Sequence, residues 1–214
     1  MKLLLLDMIG IFVVLLAAAV VALFSGPYVV DNLAVALTFL IVGVAVTKYR
    51  YEEKKEKGVY EHERSWQNVV SNSAFPLLCC VLYHYSGSPA WIAAYVGAFA
   101  GAMADKFGSE LGVLSERPIS LGSFRPVKQG TSGAISVLGT YLSFIGALII
   151  GAAGYFLYNY DPFTIFTIAL FGFLGSVADS FAGVLEEKGI GTKGTSNMIC
   201  TIVSGLLAYY LLKF

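Results

Sequence analysis

Residues 101–133 read GAMADKFGSELG, VLSERPISLGSFRPV and KQGTSG in succession. An apolar segment rich in small residues carries Asp105 and Glu110 near its end. A polar stretch follows, and a basic, glycine-rich turn precedes the next apolar segment. The pattern predicts a membrane helix that ends among carboxylates, a polar loop, and a second helix that opens at Thr131 and Ser132.

The chain repeats this arrangement at residues 175–197, as GSVADSFAGV, LEEKGIGT and KGTSN. The matching segments are ADKF at 104–107 with ADSF at 178–181, and KQGTSG at 128–133 with KGTSN at 193–197. A degenerate third copy pairs VTKY at 46–49 with RSWQNVVSN at 64–72, where Thr47 replaces the aspartate. Helix pairs in one orientation predict a parallel repeat about an axis along the membrane normal.

The composition is that of a polytopic membrane protein, with 57% hydrophobic and only 13% charged residues. Several apolar runs approach the roughly 20 residues that a membrane-spanning helix needs. We predict one all-α membrane domain, 1–214, with an extra first helix in 1–30 and helix-pair repeats at 31–86, 87–157 and 158–214. The seven predicted spans are 3–24, 31–49, 67–86, 89–105, 131–157, 162–182 and 196–213.

Basic residues concentrate in three loops, near 48–66, 106–130 and 183–195, which hold twelve of the fourteen Lys and Arg residues. Because cytoplasmic loops of membrane proteins carry the excess of Lys and Arg, these loops are predicted to be cytoplasmic. The N-terminus is then cytoplasmic and the C-terminus outside, in a multi-pass cell membrane protein. The formal net charge of zero gives no field that would indicate a nucleic-acid partner.

Asp105 and Asp179 occupy matching positions in the repeat. A carboxylate near membrane depth is costly and usually faces a cavity or a partner. Two of them could converge on one Mg²⁺, which accepts one or two carboxylates together with phosphate oxygens. The alternative is that each aspartate pairs with a lysine at the membrane boundary.

Two glutamates follow these aspartates. Glu110 lies five residues beyond Asp105, about 140° around a helix of 3.6 residues per turn. It can share a ligand with Asp105 only if the helix ends between them, and we name it as a helper or second-metal ligand. Glu186 lies seven residues beyond Asp179 and would share its face, or would be solvated beside Glu187 and Lys188.

The two glycine-rich turns suit phosphate binding, because free N–H groups at a helix start bind anions and glycine lets the backbone approach them. Lysine adds positive charge and the hydroxyls add donors. Ordinary helix capping by Ser or Thr is the alternative. The candidate residues are Lys128, Gly130, Thr131, Ser132, Lys193, Gly194, Thr195, Ser196 and Asn197.

Other polar residues are candidates of a weaker kind. Asn68 and Asn72 open the third span and could bind a base, a phosphate or a metal-bound water, or a neighbouring helix. Arg125 carries a planar guanidinium that suits phosphate. The alternating charges of residues 48–57 are typical of a solvated helical extension.

These motifs resemble the integral-membrane family that contains the chloroplast phytyl-phosphate kinase and its archaeal and bacterial relatives, over roughly residues 31–213. The resemblance depends on RSWQNVVSN at 64–72, ADKFGSELG at 104–112, RPVKQGTSGAIS at 125–136, and GSVADSFAG with GTKGTSN between 175 and 197. It implies phosphoryl transfer from CTP or another nucleoside triphosphate to an isoprenyl monophosphate. Lys106 and the pair Glu186–Glu187 depart from the family pattern.

The residues fit that chemistry, since phosphoryl transfer needs alignment and charge neutralisation more than covalent help from the protein. Asp105 and Asp179 are predicted to hold Mg²⁺, while the lysines and the two turns hold the nucleotide and the lipid phosphate. A membrane CTP-dependent cytidylyltransferase or a polyprenol kinase would use the same groups. A transporter of an ion or small solute is the alternative that is not an enzyme.

Overall fold

The computed structural model describes residues 6–59 and 66–211. It is a bundle of α-helices, which confirms the predicted all-α class. The helices are α1 Met8–Phe24, α2 Val29–Lys48, α3 Tyr51–Glu56, α4 Trp66–Ser86, α5 Ala90–Gly112, α6 Val137–Tyr158, α7 Pro162–Glu186 and α8 Lys193–Leu211. A 3₁₀ turn, Gly26–Tyr28, joins α1 to α2, and the α5–α6 connection contains the antiparallel strands β1 Ile119–Ser120 and β2 Ala134–Ile135.

Each of the seven predicted spans corresponds to one of the long helices, and α3 is the additional short one. Within residues 6–59 and 66–211, three helical segments are long and apolar enough to cross a membrane, namely Gly26–Lys48, Val137–Tyr158 and Pro162–Glu186. The count of seven spans, their orientation and the helix-pair repeat remain predictions. Arg64, in the first repeat copy, lies outside the described residues.

Two predicted helix ends next to the motifs are wrong. The span predicted to end at 105 continues as α5 to Gly112, and the helix predicted to open at Thr131 begins at Val137. Ser136 caps α6, since its hydroxyl accepts a hydrogen bond from the backbone N–H of Gly139. The KQGTSG turn therefore precedes β2 and does not form a helix start.

Helix α5 is the centre of the bundle and packs against α2, α4, α6, α7 and α8. Most of its residues are buried, including an unbroken run from Ile92 to Asp105. The sequence explains this position, because AWIAAYVGAFAGAMA is apolar around the whole helix, the pattern of a helix without a solvent-facing side.

Glycines let two neighbouring helices approach α5 closely. Gly97 and Gly101 face Ser204 on α8, and Gly108 and Gly112 face α6. A Cβ at Gly101 would overlap the Ser204 side chain, so this contact excludes any larger residue. Small residues at four-residue spacing are the usual means of packing membrane helices, and the glycines fill that role here.

Asp161 caps the start of α7. Its carboxylate accepts hydrogen bonds from the backbone N–H groups of Phe163 and Thr164 and from the Thr164 hydroxyl. The hydrogen bonds from Thr164, first its hydroxyl and then its N–H, lower the pKa of Asp161. Pro162 occupies the first helical position, where a missing N–H costs nothing.

Candidate active site

Two aspartates and one lysine meet beside α5, and we call this group the aspartate cluster. Asp105 on α5 and Asp179 on α7 both approach Lys193, the first residue of α8. The Lys193 ammonium nitrogen lies 3.1 and 3.0 Å from the two carboxylate oxygens of Asp179 and 3.5 Å from Oδ1 of Asp105. The structure thus brings together three of the five residues predicted to be catalytic.

The aspartate cluster carries two carboxylates against one ammonium. Asp105 and Asp179 are buried, whereas the Lys193 side chain is 47% exposed. An unpaired buried carboxylate is costly, and among the described residues these two aspartates share one cation, Lys193. Their arrangement therefore favours binding of a further positive charge.

Magnesium fits this donor set. Mg²⁺ is typically bound by one or two carboxylates and takes its remaining oxygens from substrate phosphates and water. Asp105 and Asp179 would hold it. The described residues contain no group of three or more His, Cys, Asp and Glu side chains suited to a metal, so phosphate oxygens would have to complete the coordination.

Glu110 does not join the aspartates. Because α5 continues to Gly112, Glu110 lies about 140° around the helix from Asp105. Its Oε2 is 2.9 Å from the ammonium of Lys54, and its Oε1 is 2.6 Å from that of Lys106. The predicted metal role of Glu110 beside Asp105 is therefore not what the geometry favours. Glu110, Lys54 and Lys106 form a second group, the lysine cluster.

Lys54 is fully buried, which corrects its assignment to a solvated extension. Helix α3 folds back against the end of α2, and the Lys54 ammonium donates to the carbonyls of Val46 and Thr47 as well as to Glu110. All three of its N–H groups are thus used. The Thr47 hydroxyl lies 2.9 Å from Oε1 of Glu110, so the lysine cluster ties α2, α3 and α5 together.

The KQGTSG turn packs against the end of α7. Gly133, with φ +68°, lies against the backbone of Val184, where a Cβ would overlap the amide nitrogen. The Ser132 hydroxyl donates to Glu186, and the Ser132 backbone N–H donates to Glu187. The donors predicted to bind phosphate are therefore present, and carboxylates occupy two of them in this structure.

The two predicted lysines differ. Lys128 is exposed in the loop, as is Arg125, and neither lines the two cavities described below. Lys193 instead belongs to the aspartate cluster. The KGTSN segment forms the first turn of α8, in which Ser196 and Asn197 are buried and Thr195 is exposed. Gly194 is half-buried in the same turn.

A cavity of about 440 Å³ lies on one side of the aspartate cluster, and we call it the polar cavity because its lining contains more polar side chains than that of the cavity described next, although apolar groups form most of its surface. Its wall includes Asp105, Asp179 and Lys193, and it extends to the turn residues Gly130, Thr131 and Ser132. Hydroxyls and backbone groups provide much of the remaining lining. The volume of the cavity is in the range of ligand-binding pockets, and the Lys193 ammonium and the hydroxyls of its lining are donors of the kind that phosphate oxygens accept from.

An apolar cavity of about 330 Å³ lies on the other side, among α1, α2, α4 and α5. Its lining is mainly aliphatic and aromatic. One end is polar, and Asn68, Asn72, Lys106 and Asn197 gather there with the aspartate cluster. Asp105, Ser109 and Lys193 line both cavities, so the aspartate cluster stands where the two meet.

Asn68 and Asn72 thus lie at the polar end of the apolar cavity. The Asn72 amide donates to the Asn68 carbonyl one turn earlier in α4. Asn197 lines the same end, and its side-chain oxygen is buried with no hydrogen-bond partner in the described part of the chain. The predicted polar residues of α4 and α8 therefore converge across this end.

Glu186, for which the sequence left two interpretations open, lines the polar cavity. One of its oxygens accepts the Ser132 hydrogen bond, and the other is buried without a partner among the described residues. Sequence reasoning missed Ser109, Ser176 and Ser180, which also line this cavity. The signal was available, since Ser176 and Ser180 form a one-turn polar stripe around Asp179 in an otherwise apolar helix.

A family model described as integral membrane protein DUF92 matches residues 1–205. The chain belongs to this family. The sequence-based resemblance to the family is thereby confirmed. No solved structure matches the chain.

Three relatives show the spread of the family. An uncharacterized membrane protein of Methanocaldococcus jannaschii is 39% identical over 82% of this chain and 74% of its own length. An uncharacterized membrane protein of Synechocystis is 31% identical over 56% of this chain and 50% of its own length. Protein VTE6, chloroplastic, of Arabidopsis thaliana is 25% identical over 78% of this chain and 53% of its own length.

Proposed function

We propose that this protein transfers the γ-phosphoryl group of a nucleoside triphosphate, with CTP favoured, to an isoprenyl monophosphate of the phytyl or geranylgeranyl type. The reaction depends on Mg²⁺ and yields the isoprenyl diphosphate at the cytoplasmic face. The proposal agrees with the family to which the chain belongs. The preference for CTP comes from the resemblance of the chain's motifs to those of the family that contains the phytyl-phosphate kinase.

One observation carries the proposal: the aspartate cluster lies where a polar and an apolar cavity meet. The two substrates have opposite solubilities, and of the two cavities one has the more polar lining and the other the more apolar lining. The polar cavity would receive the nucleotide phosphates, and the apolar cavity would receive the isoprenyl chain. Lys193 lines both cavities and could therefore contact phosphate on either side.

The protein groups have distinct roles in this scheme. Asp105 and Asp179 would hold Mg²⁺, which supplies charge neutralisation on the transferring phosphoryl group. Lys193 would neutralise phosphate charge where the substrates meet. The turn at Gly130, Thr131 and Ser132 would bind the nucleotide phosphates through backbone N–H and hydroxyl donors, with phosphate displacing Glu186 and Glu187 from Ser132. Alignment of the two phosphates is the main contribution of the protein.

In this reaction an oxygen of the isoprenyl monophosphate forms a bond to the γ-phosphorus. The bond from that phosphorus to the β-phosphate oxygen breaks, and the nucleoside diphosphate leaves with the electron pair. The attacking oxygen is already ionised at neutral pH, so no general base is needed. This agrees with a site built from carboxylates, a lysine and hydroxyls.

The depth of the aspartates removes one argument that the sequence offered against a transporter. Asp105 and Asp179 were predicted at the ends of their spans, but each is followed by seven more helical residues, or about 10 Å. The preference for an enzyme instead rests on the chemical difference between the two cavities. A solute pathway has no need of an apolar branch that ends at charged groups.

The decisive test uses purified protein in detergent with Mg²⁺, geranylgeranyl monophosphate and CTP or ATP labelled at the γ-phosphate. Label should appear in a lipid diphosphate, and should be lost in Asp105→Asn and Asp179→Asn. Asp31→Asn is the matched control, because Asp31 lies in the first turn of α2, at the opposite end of that helix from Thr47 and the lysine cluster.

Other outcomes assign other functions. Transfer of an α-phosphate label into the lipid would identify a cytidylyltransferase, and γ-label transfer to a free isoprenyl alcohol would identify a polyprenol kinase. Absence of transfer with either nucleotide, across several chain lengths, would overturn the proposal and favour transport.

A further inference from the structure

Asn197, in the first turn of α8, carries a buried polar atom that the protein does not satisfy. The residue is only 6% exposed, and its side-chain oxygen has no hydrogen-bond partner in the described part of the chain. Such an oxygen is costly, because folding removes its water and provides no donor in exchange. It therefore requires a partner from outside the chain, such as water or an ion.

Asn197 belongs to a row of residues along one face of α8, which we call the α8 row. The row has spacings of four, three and four residues and consists of Lys193, Asn197, Cys200 and Ser204. One end is Lys193, which contacts both carboxylates of the aspartate cluster. Asn197, Cys200 and Ser204 are buried, so this face of α8 is turned into the bundle.

The α8 row meets both helices that carry the aspartates. Gly101 on α5 and Gly175 on α7 each face its Cys200–Ser204 end. The two aspartates follow these glycines by four residues, or about one helical turn, and they contact the Lys193 end. Asn197 lies between the two ends of the row. Helix geometry thus places its side chain beside the aspartate cluster.

We infer that the side-chain oxygen of Asn197 is a third protein ligand of the divalent cation that Asp105 and Asp179 would hold, a role that rests on the proposed function for the presence of that cation. Carboxylate, carbonyl and water oxygens are the ligands that suit Mg²⁺ and Mn²⁺. A cation at this position would satisfy the oxygen that finds no donor within the chain.

The type of atom distinguishes this role from phosphate binding, with which the sequence grouped Asn197. A phosphate oxygen needs a donor, whereas the unpartnered atom of Asn197 is an acceptor. The amide oxygen also adds a ligand without adding a third negative charge to the buried cluster. Phosphate and water oxygens would occupy the positions that remain around the metal.

The role is tested by titrating the purified protein in detergent with Mn²⁺ alone, without nucleotide or lipid. Mn²⁺ takes the same ligands as Mg²⁺, and its unbound form is measured by electron paramagnetic resonance. The unmodified protein should bind Mn²⁺ saturably, and Asp179→Asn should abolish the binding. Asn197→Leu should weaken it by at least about tenfold, because even the loss of a group that only supports a metal ligand costs that much.

Thermal unfolding of the metal-free protein separates a ligand from a residue that stabilises the fold. Asn197→Leu removes a buried oxygen that lacks a partner and keeps a side chain of similar size. The variant should therefore unfold at the same temperature as the unmodified protein or at a higher one. A structural asparagine would give the opposite result.

A second variant changes the affinity in the other direction. Asn197→Asp keeps an oxygen at the same position and adds charge to the ligand set, so it should tighten Mn²⁺ binding several-fold. Thr192→Asp is the matched control, since it adds the same charge at an exposed position before α8 and can still accept from the Thr195 N–H. Its affinity should change less than about twofold, because solvent and salt screen an exposed charge.

Unchanged Mn²⁺ affinity in Asn197→Leu would overturn the inference, as would a lower unfolding temperature of this variant without metal or a failure of the unmodified protein to bind Mn²⁺. If Asn197→Leu does not fold, an affinity of Asn197→Asp no higher than that of Thr192→Asp would overturn it. Mn²⁺ binding that depends on Asn197 without any phosphoryl transfer would leave this role standing and remove the proposed function. Transfer with a Mn²⁺ affinity independent of Asn197 would do the reverse.

Discussion

Helix α5 carries two charged clusters whose key carboxylates are five residues apart. In the aspartate cluster two carboxylates share one ammonium and face two cavities. In the lysine cluster one carboxylate is held by two ammonium groups, and Lys54 uses every N–H it has. The aspartate cluster has more carboxylates than ammonium groups and can bind a further cation. The lysine cluster has more ammonium groups than carboxylates and has no excess negative charge.

The comparison shows why residue type and depth do not reveal a functional carboxylate. Asp105 and Glu110 are both buried acids on the same helix. Their surroundings differ because opposite faces of α5 meet different neighbours. The number of cations around each acid, and the space beside it, distinguish a binding group from a structural one.

The largest expected effect is loss of activity in the aspartate cluster. Asp179→Asn should lower the rate of phosphoryl transfer at least about 100-fold, because the carboxylate charge that would stabilise the transition state through Mg²⁺ is lost. The rate is measured with γ-labelled nucleotide, and the unfolding temperature is recorded on the same sample. A folded variant with more than a tenth of the activity would remove Asp179 from the site.

The next effect is on stability in the lysine cluster. Glu110→Gln leaves the buried Lys54 without a counter-charge, so it should lower the free energy of unfolding by about 3–5 kcal/mol. The remaining folded molecules should keep their transfer rate. The exposed Glu116→Gln is the control. Loss of activity with unchanged stability would restore Glu110 to the metal site and erase the distinction between the clusters.

A smaller loss of stability is expected from substitution of Lys54, the cationic partner of Glu110. Lys54→Met keeps Lys106 beside Glu110 and fills the space with an apolar side chain, so the cost should be about 1–3 kcal/mol. Thermal unfolding measures it. Lys55→Met, one residue along on the exposed side of α3, should stay within about 0.5 kcal/mol. Equal losses of stability in Lys54→Met and Lys55→Met would show that the buried position of Lys54 does not contribute to stability.

The smallest effect concerns a carboxylate outside both clusters. The pKa of Asp161 is lowered in the folded protein, so its contribution to stability is present above the unfolded carboxyl pKa of about 3.9 and is lost as the pH falls through the folded value. Asp161→Ala should slightly lower the unfolding temperature at pH 7, and the difference should shrink below about pH 4. Asp161→Asn, which keeps a capping side chain, is the control.

The sequence predicted the helices well because apolar runs and loop charges are local signals. The predicted end of α5 was wrong, because the charged and small residues of ADKFGSELG at 104–112 have the composition of a loop that leaves the membrane. These residues remain helical because Gly108 and Gly112 pack against α6 and Glu110 has cationic partners in the interior. None of these contacts is visible in the local pattern.

The candidate site was predicted in part. Duplication pointed to Asp105, Asp179 and Lys193, and the structure joins them. Duplication also pointed to Lys128, which matches Lys193 in sequence but lies exposed in a loop and lines neither cavity. Lys54 was missed because its partner Glu110 is 56 residues away, and charge alternation alone cannot distinguish a buried lysine from a solvated one.

The shared wall of the two cavities has a consequence for how a water-soluble compound and a membrane-soluble compound could react. Neither has to leave its own phase if each occupies the cavity that suits it, since Asp105 and Lys193 are accessible from both. On the proposed function, the protein therefore holds the water-soluble and the membrane-soluble compound next to each other at a fixed boundary between an aqueous and a lipid environment. Its turnover would then respond to how the lipid partitions into the membrane as much as to how much of it the cell makes.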